Sequence, residues 1–342
     1  MAAWRAGAFL LKGLNAFTAA GYERAAARFD NSCMQSSLAG RVCIVTGANS
    51  GLGLTTSHEL ARRGATLWML CRDEARGAAA VAAVVAESGN QDVHLAVCDI
   101  SSLASIAAFA ARWGDRPCHV LVNNAGVLLN ERGTTAEGFE ASFATNSLGT
   151  AALTARLLPA LRAGAPSRVI TVSSGGMYTA KLHPDDFDGA GITPWDGSVA
   201  YARDKRRQVA LTEHLAAAEA AQGVLFVSMH PGWADTEGVR TSIPAFHKAL
   251  EGRLRSPAQG ADTIVWLALE DAAKLQPGAF YLDRAPQAKH LLLGGTGYSA
   301  ADAAELWKRL TQLAGLDERG GAEAAAAGGG GVTAGADRVA AS

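Results

Sequence analysis

Charge is scarce in this chain and almost balanced. Only 18% of its 342 residues are charged, and 31 Lys plus Arg against 32 Asp plus Glu leave a formal net charge of −1. No field of one sign exists to gather nucleic acid, and none is expected as a partner. Cysteine is sparse too: Cys33, Cys43, Cys71, Cys98 and Cys118, with no C-x-x-C pair. Four of them lie at predicted strands, where cysteine behaves as a small hydrophobe, so a reducing, intracellular and cytoplasmic setting is expected. No metal site follows from their spacing. The histidines show no paired spacing, and His183-Pro-Asp-Asp has no second ligand cluster, so no metal is expected there. No run of 18 apolar residues occurs, and no membrane-spanning helix is predicted.

What is plentiful is apolar: 49% of the chain, ample for one core. The length is generous for a single open α/β domain unless the ends are appendages. The chain is organised around T-G-A-N-S-G-L-G, Thr46 to Gly53. Before it runs R-V-C-I-V at 41–45, a short apolar run of the kind that forms a buried parallel strand. After it, residues 52–63 have helical spacing and end at Gly64, where a helix cap is expected. The glycines therefore sit on a strand-to-helix turn. There the backbone bends tightly, a pyrophosphate can come close, and the first helical turn offers free N–H groups to an anion. The spacing is G-x-x-x-G-x-G rather than the commoner G-x-G-x-x-G.

From Arg41 onward strand and helix alternate. Strands are predicted at 41–46, 66–71, 92–98, 118–122, 167–173, 224–230 and 279–282. Helices are predicted at 52–63, 73–88, 102–113, 136–162, 199–222 and 257–270. The pattern predicts an α/β fold with a single doubly wound, Rossmann-like, parallel seven-stranded sheet and helices on both faces. Three segments follow: an N-terminal helical extension over 1–39, the Rossmann domain over 40–312, and a low-complexity tail over 313–342. From Gly320 the tail is rich in alanine and glycine and buries too little to fold. Residues 1–38 carry Trp4, Phe9, Leu10, Leu11, Leu14 and Phe17 with Arg5 and Lys12, and no acid before Glu23. Three readings stay open: a helix packed on the domain, an organelle presequence, or an amphipathic helix in peripheral contact with a membrane.

The second strand ends in Cys71-Arg72-Asp73. An acid there would select NAD by holding the ribose 2′-hydroxyl, whereas arginine accommodates a 2′-phosphate. Arg72 favours NADP(H) over NAD(H), and Asp73 reads as the next helix's N-cap. Asp99 can accept from an adenine amino group or cap helix 102–113. The fourth strand ends in N-N-A-G, where Asn123 and Asn124 can tie neighbouring backbone groups together. Four polar positions can converge at the same sheet edge. Strand 167–173 ends in Ser173-Ser174. Tyr201 and Lys205 share one face of helix 199–222. Asn146 lies in an uncharged stretch of helix 136–162. Tyrosine, with pKa about 10, is a weak base at neutral pH. An ammonium ~5 Å away favours the phenolate by about 3 kcal/mol at an effective dielectric of ~20, on the order of two pKa units. Ser174 would bind the substrate oxygen, and Asn146 could hold a water linking Lys205 to solvent.

Between about 40 and 290 the chain resembles the short-chain dehydrogenase/reductase family, through T-G-x-x-x-G-x-G, N-N-A-G, the helix Asn, the Ser and Y-x-x-x-K. The runs at 169–177, 228–236 and 255–263, with K-G-L at 12–14 and G-Y-E at 21–23, extend the likeness into the N-terminal segment. The resemblance implies a catalytic tetrad of Asn146, Ser174, Tyr201 and Lys205, with Ser174 rather than Ser173 in the serine role. It implies a cofactor site of Gly47, Asn49, Ser50, Gly51, Leu52 and Gly53, then Arg72, Asp99 and Ile100, then Asn124, Ala125 and Gly126, with Tyr201 and Lys205. Pro231, Gly232 and Thr236 match the family's P-G-x-x-x-T loop at the nicotinamide amide. It also implies a homodimer contact through helices near 136–162 and 199–222. One departure stands out. Asp204 precedes the lysine where the family usually has Ser or Asn; its helical phase directs it to Arg207, Gln208 or solvent.

Two long loops border the ligand edge. Residues 175–198 carry Met177, Tyr178, Leu182, His183, Phe187, Ile192 and Trp195, and 233–250 carry Trp233, Val239, Ile243, Pro244 and Phe246. If they line the site, a bulky apolar carbonyl or alcohol is the expected substrate; otherwise they pack on one another. The function expected is NADP(H)-dependent hydride transfer with Tyr201 as general acid/base. A non-catalytic NADP(H)-binding scaffold is the alternative.

Overall fold

The structure is a computed structural model and describes residues 2–317. Seven parallel strands run β1 (Val42–Thr46), β2 (Thr66–Cys71), β3 (Val93–Val97), β4 (Val120–Asn123), β5 (Ser167–Val172), β6 (Val224–Met229) and β7 (Phe280–Leu282). A short β8 (Ala285–Gln287) closes the order β3-β2-β1-β4-β5-β6-β7-β8. Alternate side chains point to opposite faces, and both faces are covered. On β1, Ile44 enters one core while Cys43 and Val45 enter the other. The Cys43 and Val45 core is sealed by α3 (Gly51–Arg62), α4 (Glu74–Ser88) and α11 (Pro257–Leu269). The Ile44 core is sealed by α5 (Leu103–Trp113), α7 (Thr150–Ala163), α8 (Gly197–Ala218) and α12 (Ala300–Leu313). The strand order reverses between β1 and β4, so a crevice opens there at the carboxyl ends of the strands.

The sheet has eight strands rather than the expected seven. β8 pairs antiparallel with β7 through a tight turn at Asp283 and Arg284, whose φ values are 50° and 59°. Positive φ at both turn residues is the hairpin geometry usually written N-G, and D-R carries no such signal. The helix expected over 136–162 begins only at α6 (Ala141–Phe143), passes through a π-helical turn at Ala144–Gly149, and continues as α7. Glu140 caps it by accepting from the main-chain N–H of Ser142 and Phe143. The loop 233–250 folds into α9 (Glu237–Ser242) and α10 (Pro244–Ala249). Helix α12 was not expected. It packs Leu306, Trp307 and Leu310 between α7 and α8, over the faces where the resemblance implies a dimer contact. Leu316 beyond it is also buried, so packing runs past the boundary drawn at 313, while the alanine–glycine tail lies outside the described residues.

Residues 2–26 form α1 (Ala2–Ala16) and α2 (Ala19–Ala26). Phe9 and Gly13 on α1, and Phe17 just past its end, recur every four residues and face inward. Phe17 is fully buried against Trp233, with ring centroids 5.7 Å apart. A Cβ at Gly13 would lie 2.1 Å from the Trp233 indole, so only glycine lets the helix come this close. Arg255 secures the junction. Its guanidinium donates to the carbonyls of Ala16 (2.7 Å) and Phe17 (3.0 Å) and pairs with Asp283 at 2.5 and 2.8 Å.

Candidate active site

The glycine turn is held from the neighbouring strand. Thr46 Oγ1 accepts from the main-chain N–H of Asn124 (2.9 Å) and Ala125 (2.8 Å). In return Asn124 Nδ2 donates to the carbonyls of Thr46 (2.8 Å) and Gly47 (3.3 Å). Asn123 turns away and donates to Thr154 on α7 at 3.0 Å. Gly47 has φ +60°, and a Cβ there would lie 3.1 Å from Ala125 Cα. Both the backbone sign and the close approach require glycine. Ser50 is the N-cap of α3 yet makes no side-chain capping bond, so the N-terminal amides keep their anion-binding capacity. Thr236, the N-cap of α9, lies over this turn, with Cγ2 3.5 Å from where a Gly51 Cβ would be. Leu52 reaches toward Gly260 on α11 and braces the helix rather than the crevice.

Arg72 is exposed and makes no ion pair among the described residues. Asp73 caps α4 by accepting from Arg76 N–H at 2.8 Å. Asp99 does not cap the next helix; Ser102 does, accepting from Ser105 N–H at 3.2 Å, with Glu137 accepting from the Leu103 and Ala104 amides. Asp99 Oδ1 instead takes the Ser101 amide and hydroxyl, because it sits three residues before the N-cap and cannot reach the helix's free N–H groups. Ile100 is buried beneath the π-helical turn, its carbonyl 1.8 Å from where a Gly149 Cβ would stand.

Gly126 joins the cofactor edge to the polar group. A Cβ there would lie 3.0 Å from Asn146 Oδ1 and 3.3 Å from Lys205 Nζ. Asn146 is fully buried. Its side chain accepts from Val127 N–H (2.9 Å) and donates to Val127 O (2.8 Å), fixing the turn after N-N-A-G. Ser173 is buried and donates to the Lys205 carbonyl at 2.9 Å, whereas Ser174 stays partly open and caps a 3-10 turn over Gly175–Thr179. Lys205 Nζ donates to Val172 O (2.8 Å) and Gln208 Oε1 (3.1 Å), and stands 5.2 Å from the Tyr201 ring centroid. Pro231 and Gly232 follow β6. A Cβ at Gly232, φ +77°, would lie 2.2 Å from Arg255 Nε, so the arginine that anchors α1 also backs this loop.

The electrostatics differ from the expectation that Lys205 makes Tyr201 more acidic. Burial pushes the Tyr201 phenol up to about 12; a hydrogen bond from Ser174 pulls it down in part, and Asp204 pushes it up. Burial also lowers Lys205 to about 8, with Asp204 acting in the opposite sense. The ammonium is turned to Val172 and Gln208, and desolvation of the phenolate outweighs the attraction across the ring. Asp204 is buried. It accepts from Ser147 Oγ (2.6 Å), Arg207 Nη1 (2.8 Å), Ser142 Oγ (3.1 Å) and Asn146 Nδ2 (3.3 Å). Its carboxylate is saturated by Ser142 of α6, by Asn146 and Ser147 of the π-helical turn, and by Arg207 of its own helix.

The loop 175–198 packs largely on the protein. Met177 and Tyr178 are buried, and Phe187 stacks on Phe143 at 5.0 Å. Arg207 donates to the carbonyls of His183 and Asp186. This segment is tied down and contributes less apolar wall than its composition implied. Met177 and Tyr178 pack with Phe9, Phe17, Trp233 and Phe246 of the extension and the second loop in one cluster, in which Phe17 and Trp233 are buried.

A model of the short chain dehydrogenase family matches residues 41–245. The chain belongs to the short-chain dehydrogenase/reductase family. It is an oxidoreductase of that family, whose members bind a nicotinamide cofactor. It is 45% identical over 316 residues to dehydrogenase/reductase SDR family member 12 of Bos taurus, covering 92% of this chain and 99% of that protein. It is 35% identical to human retinol dehydrogenase 11, covering 72% of this chain and 78% of that one. Among solved structures it resembles the Pseudomonas aeruginosa RhlG/NADP complex, with a TM-score of 0.59 at 26% identity, over 71% of this chain and 94% of that one. Gly47, with φ +60°, and the α3 terminus that Ser50 leaves uncapped form a turn able to take an anion.

Three contributors were not assigned from the sequence. Gln208 lies one turn after Lys205, and its spacing was the only signal. Asp204 had been directed toward Arg207, which it reaches, but its bonds to Ser142, Ser147 and Asn146 come from another helix. Arg255 gave no local sign at all.

Proposed function

We propose that this chain transfers hydride between NADP(H) and a bulky apolar carbonyl or alcohol, with Tyr201 as general acid/base. The observation that carries this reading is Gly126, which sits against both Asn146 and Lys205 while its neighbours Asn124 and Ala125 are bonded to the glycine turn. That supports reading Lys205, and with it the phenol on the same helix, as lying at the rim where a dinucleotide would bind. A bound nicotinamide supplies or accepts the hydride. In reduction, Ser174 orients the carbonyl oxygen, Tyr201 gives that oxygen its proton, and Lys205 stabilises the phenolate left behind and holds the nicotinamide ribose. Gly47, Asn49, Ser50, Gly51, Leu52 and Gly53 would cradle the pyrophosphate; Asp99, Ile100, Asn124, Ala125 and Gly126 would border the adenosine and ribose; Pro231, Gly232 and Thr236 would meet the amide. The retinol dehydrogenase names of some relatives support an apolar substrate.

The NADP(H) preference rests on Arg72. Removing a charge-assisted hydrogen bond to a 2′-phosphate costs about 1.5–3 kcal/mol. Arg72→Ala is therefore expected to weaken NADPH binding by about 10- to 100-fold and to leave NADH binding almost unchanged, as read by cofactor fluorescence. Equal losses for both cofactors would remove Arg72 from the selectivity. NADPH binding without turnover of any carbonyl or alcohol in a broad panel would leave the cofactor-binding scaffold.

A second feature favours contact with a lipid surface. The outer side of α1 exposes Leu10, Leu11 and Leu14, and the adjoining loop exposes Leu292 (84%) and Leu293 (75%). Trp4 Nε1 bonds Leu292 O at 3.2 Å, so the two segments form one patch. The full chain is expected to float with phosphatidylcholine/phosphatidylserine vesicles, and Leu11→Asp combined with Leu292→Asp to stay behind. Equal flotation of the two would rule the patch out as a lipid contact. The anchored inner face of α1 favours retention of residues 2–26 over removal as an organelle presequence.

A further inference from the structure

Gln208 is almost fully buried on α8, one turn beyond Lys205. Both ends of its amide are engaged. Oε1 accepts from Lys205 Nζ at 3.1 Å, and Nε2 donates to the main-chain carbonyl of Asn146 at 2.8 Å. The chemistry fixes the orientation: an ammonium only donates and a carbonyl only accepts, so a flipped amide would lose both bonds. The sequence suggested that Asn146 holds a water linking Lys205 to solvent; here the Gln208 amide joins the two residues. The Asn146 side chain is itself committed to Val127, Ser142 and Asp204, so its main-chain carbonyl is the group turned toward the lysine side.

We propose that Gln208 is a positioning residue for Lys205: its amide holds the ammonium against the Tyr201 ring and fills the span to Asn146 with a group that does not ionise. The role rests on the reading of Lys205 given above. A water in that span would connect the lysine to other waters and let it exchange protons along them. A carboxamide fixes the charge in place instead. The partners of Lys205 are few. Among the described residues its ammonium donates to the Val172 carbonyl on β5 and to Gln208 Oε1, and the Gly126 backbone after β4 passes beside it. The titratable groups beside it are Tyr201 and Asp204, both on α8, with Arg207 neutralising Asp204 from the far side.

The amide oxygen stabilises the charged lysine, and that gives the test opposite signs in two variants. Lysine is labelled with 13C at Cε in the full chain, and the Lys205 resonance is assigned by its loss in Lys205→Arg. Wild type is expected to titrate near 8. Gln208→Leu removes an acceptor and is expected to move the midpoint down by about one unit, a tenfold change in the proton affinity. Gln208→Glu sets a carboxylate beside the ammonium and is expected to move it up by at least as much. A midpoint unmoved in both variants, or moved in the same direction by both, overturns the proposal, since a purely structural role damages both alike. If the leucine variant does not fold, the upward shift in the glutamate variant decides alone: its absence overturns the proposal. The titration is read without cofactor or carbonyl, so failure to find turnover would count against the enzymatic reading and leave this measurement standing. Where turnover is found, the alkaline limb of kcat should move with the lysine midpoint while KM stays within twofold.

Discussion

Tyr201→Phe is expected to lower kcat for carbonyl reduction by about 10²- to 10⁴-fold, the usual worth of a positioned proton donor. NADPH affinity and thermal stability should change little. Only a hydroxyl is removed and the ring stays, so no large cavity is left. With burial holding Tyr201 near 12, the hydroxyl keeps its proton at neutral pH, as reduction requires. Alcohol oxidation needs the phenolate, so its rate should rise with pH up to about pH 8, where Lys205 begins to lose the charge that supports it, and level off above. Steady-state rates for wild type and variant with the same carbonyl decide the matter. A phenylalanine variant as fast as wild type would mean that the proton comes from elsewhere.

Arg255→Ala should produce the largest loss of stability. The side chain is 1% exposed, and it joins α1, the loop at Pro231 and Gly232, and the β7–β8 turn through Asp283. Truncation strands a buried carboxylate and leaves the carbonyls of Ala16 and Phe17 without this donor. Breaking a buried pair in this way costs about 3–5 kcal/mol. For a domain of this size that corresponds to a fall in Tm on the order of 5–10 °C, read by calorimetry. Proteolysis within residues 2–38 should quicken at the same time. Arg255→Lys should recover only a little, because a lysine lacks the fork that meets two carbonyls and a carboxylate at once. A Tm within about a degree of wild type would show that the extension is held by its apolar contacts alone.

Sequence period and motif carried a long way here, and where they stopped is instructive. The alternation of strand and helix was legible because each strand of a parallel sheet is buried on both faces and reads as a short apolar run. β8 was invisible because three half-exposed residues have no period, and its turn uses Asp283 and Arg284 in place of the usual Asn-Gly. The start of the helix carrying Asn146 was placed five residues early, since hydrophobic spacing continues from the loop into the helix while the cap at Glu140 decides where it begins. The loop 175–198 looked like an apolar lid. Its rings have other partners, Phe187 on Phe143 and Arg207, Tyr178 on Phe280 and Trp195 under Arg132, neighbours that composition does not reveal.

By itself the sequence determined the doubly wound fold, the glycine turn, and the four-residue step from Tyr201 to Lys205, all of them local patterns written within one or two elements. Tertiary structure alone decided that the N-terminal helix is seated on Trp233 and Arg255, that Asp204 is buried among donors from the turn of Asn146, and that Gln208 spans from Lys205 to Asn146. The reason is physical. Period and spacing report which side of an element leaves water, whereas the partner it meets there is chosen by packing between segments far apart in the chain.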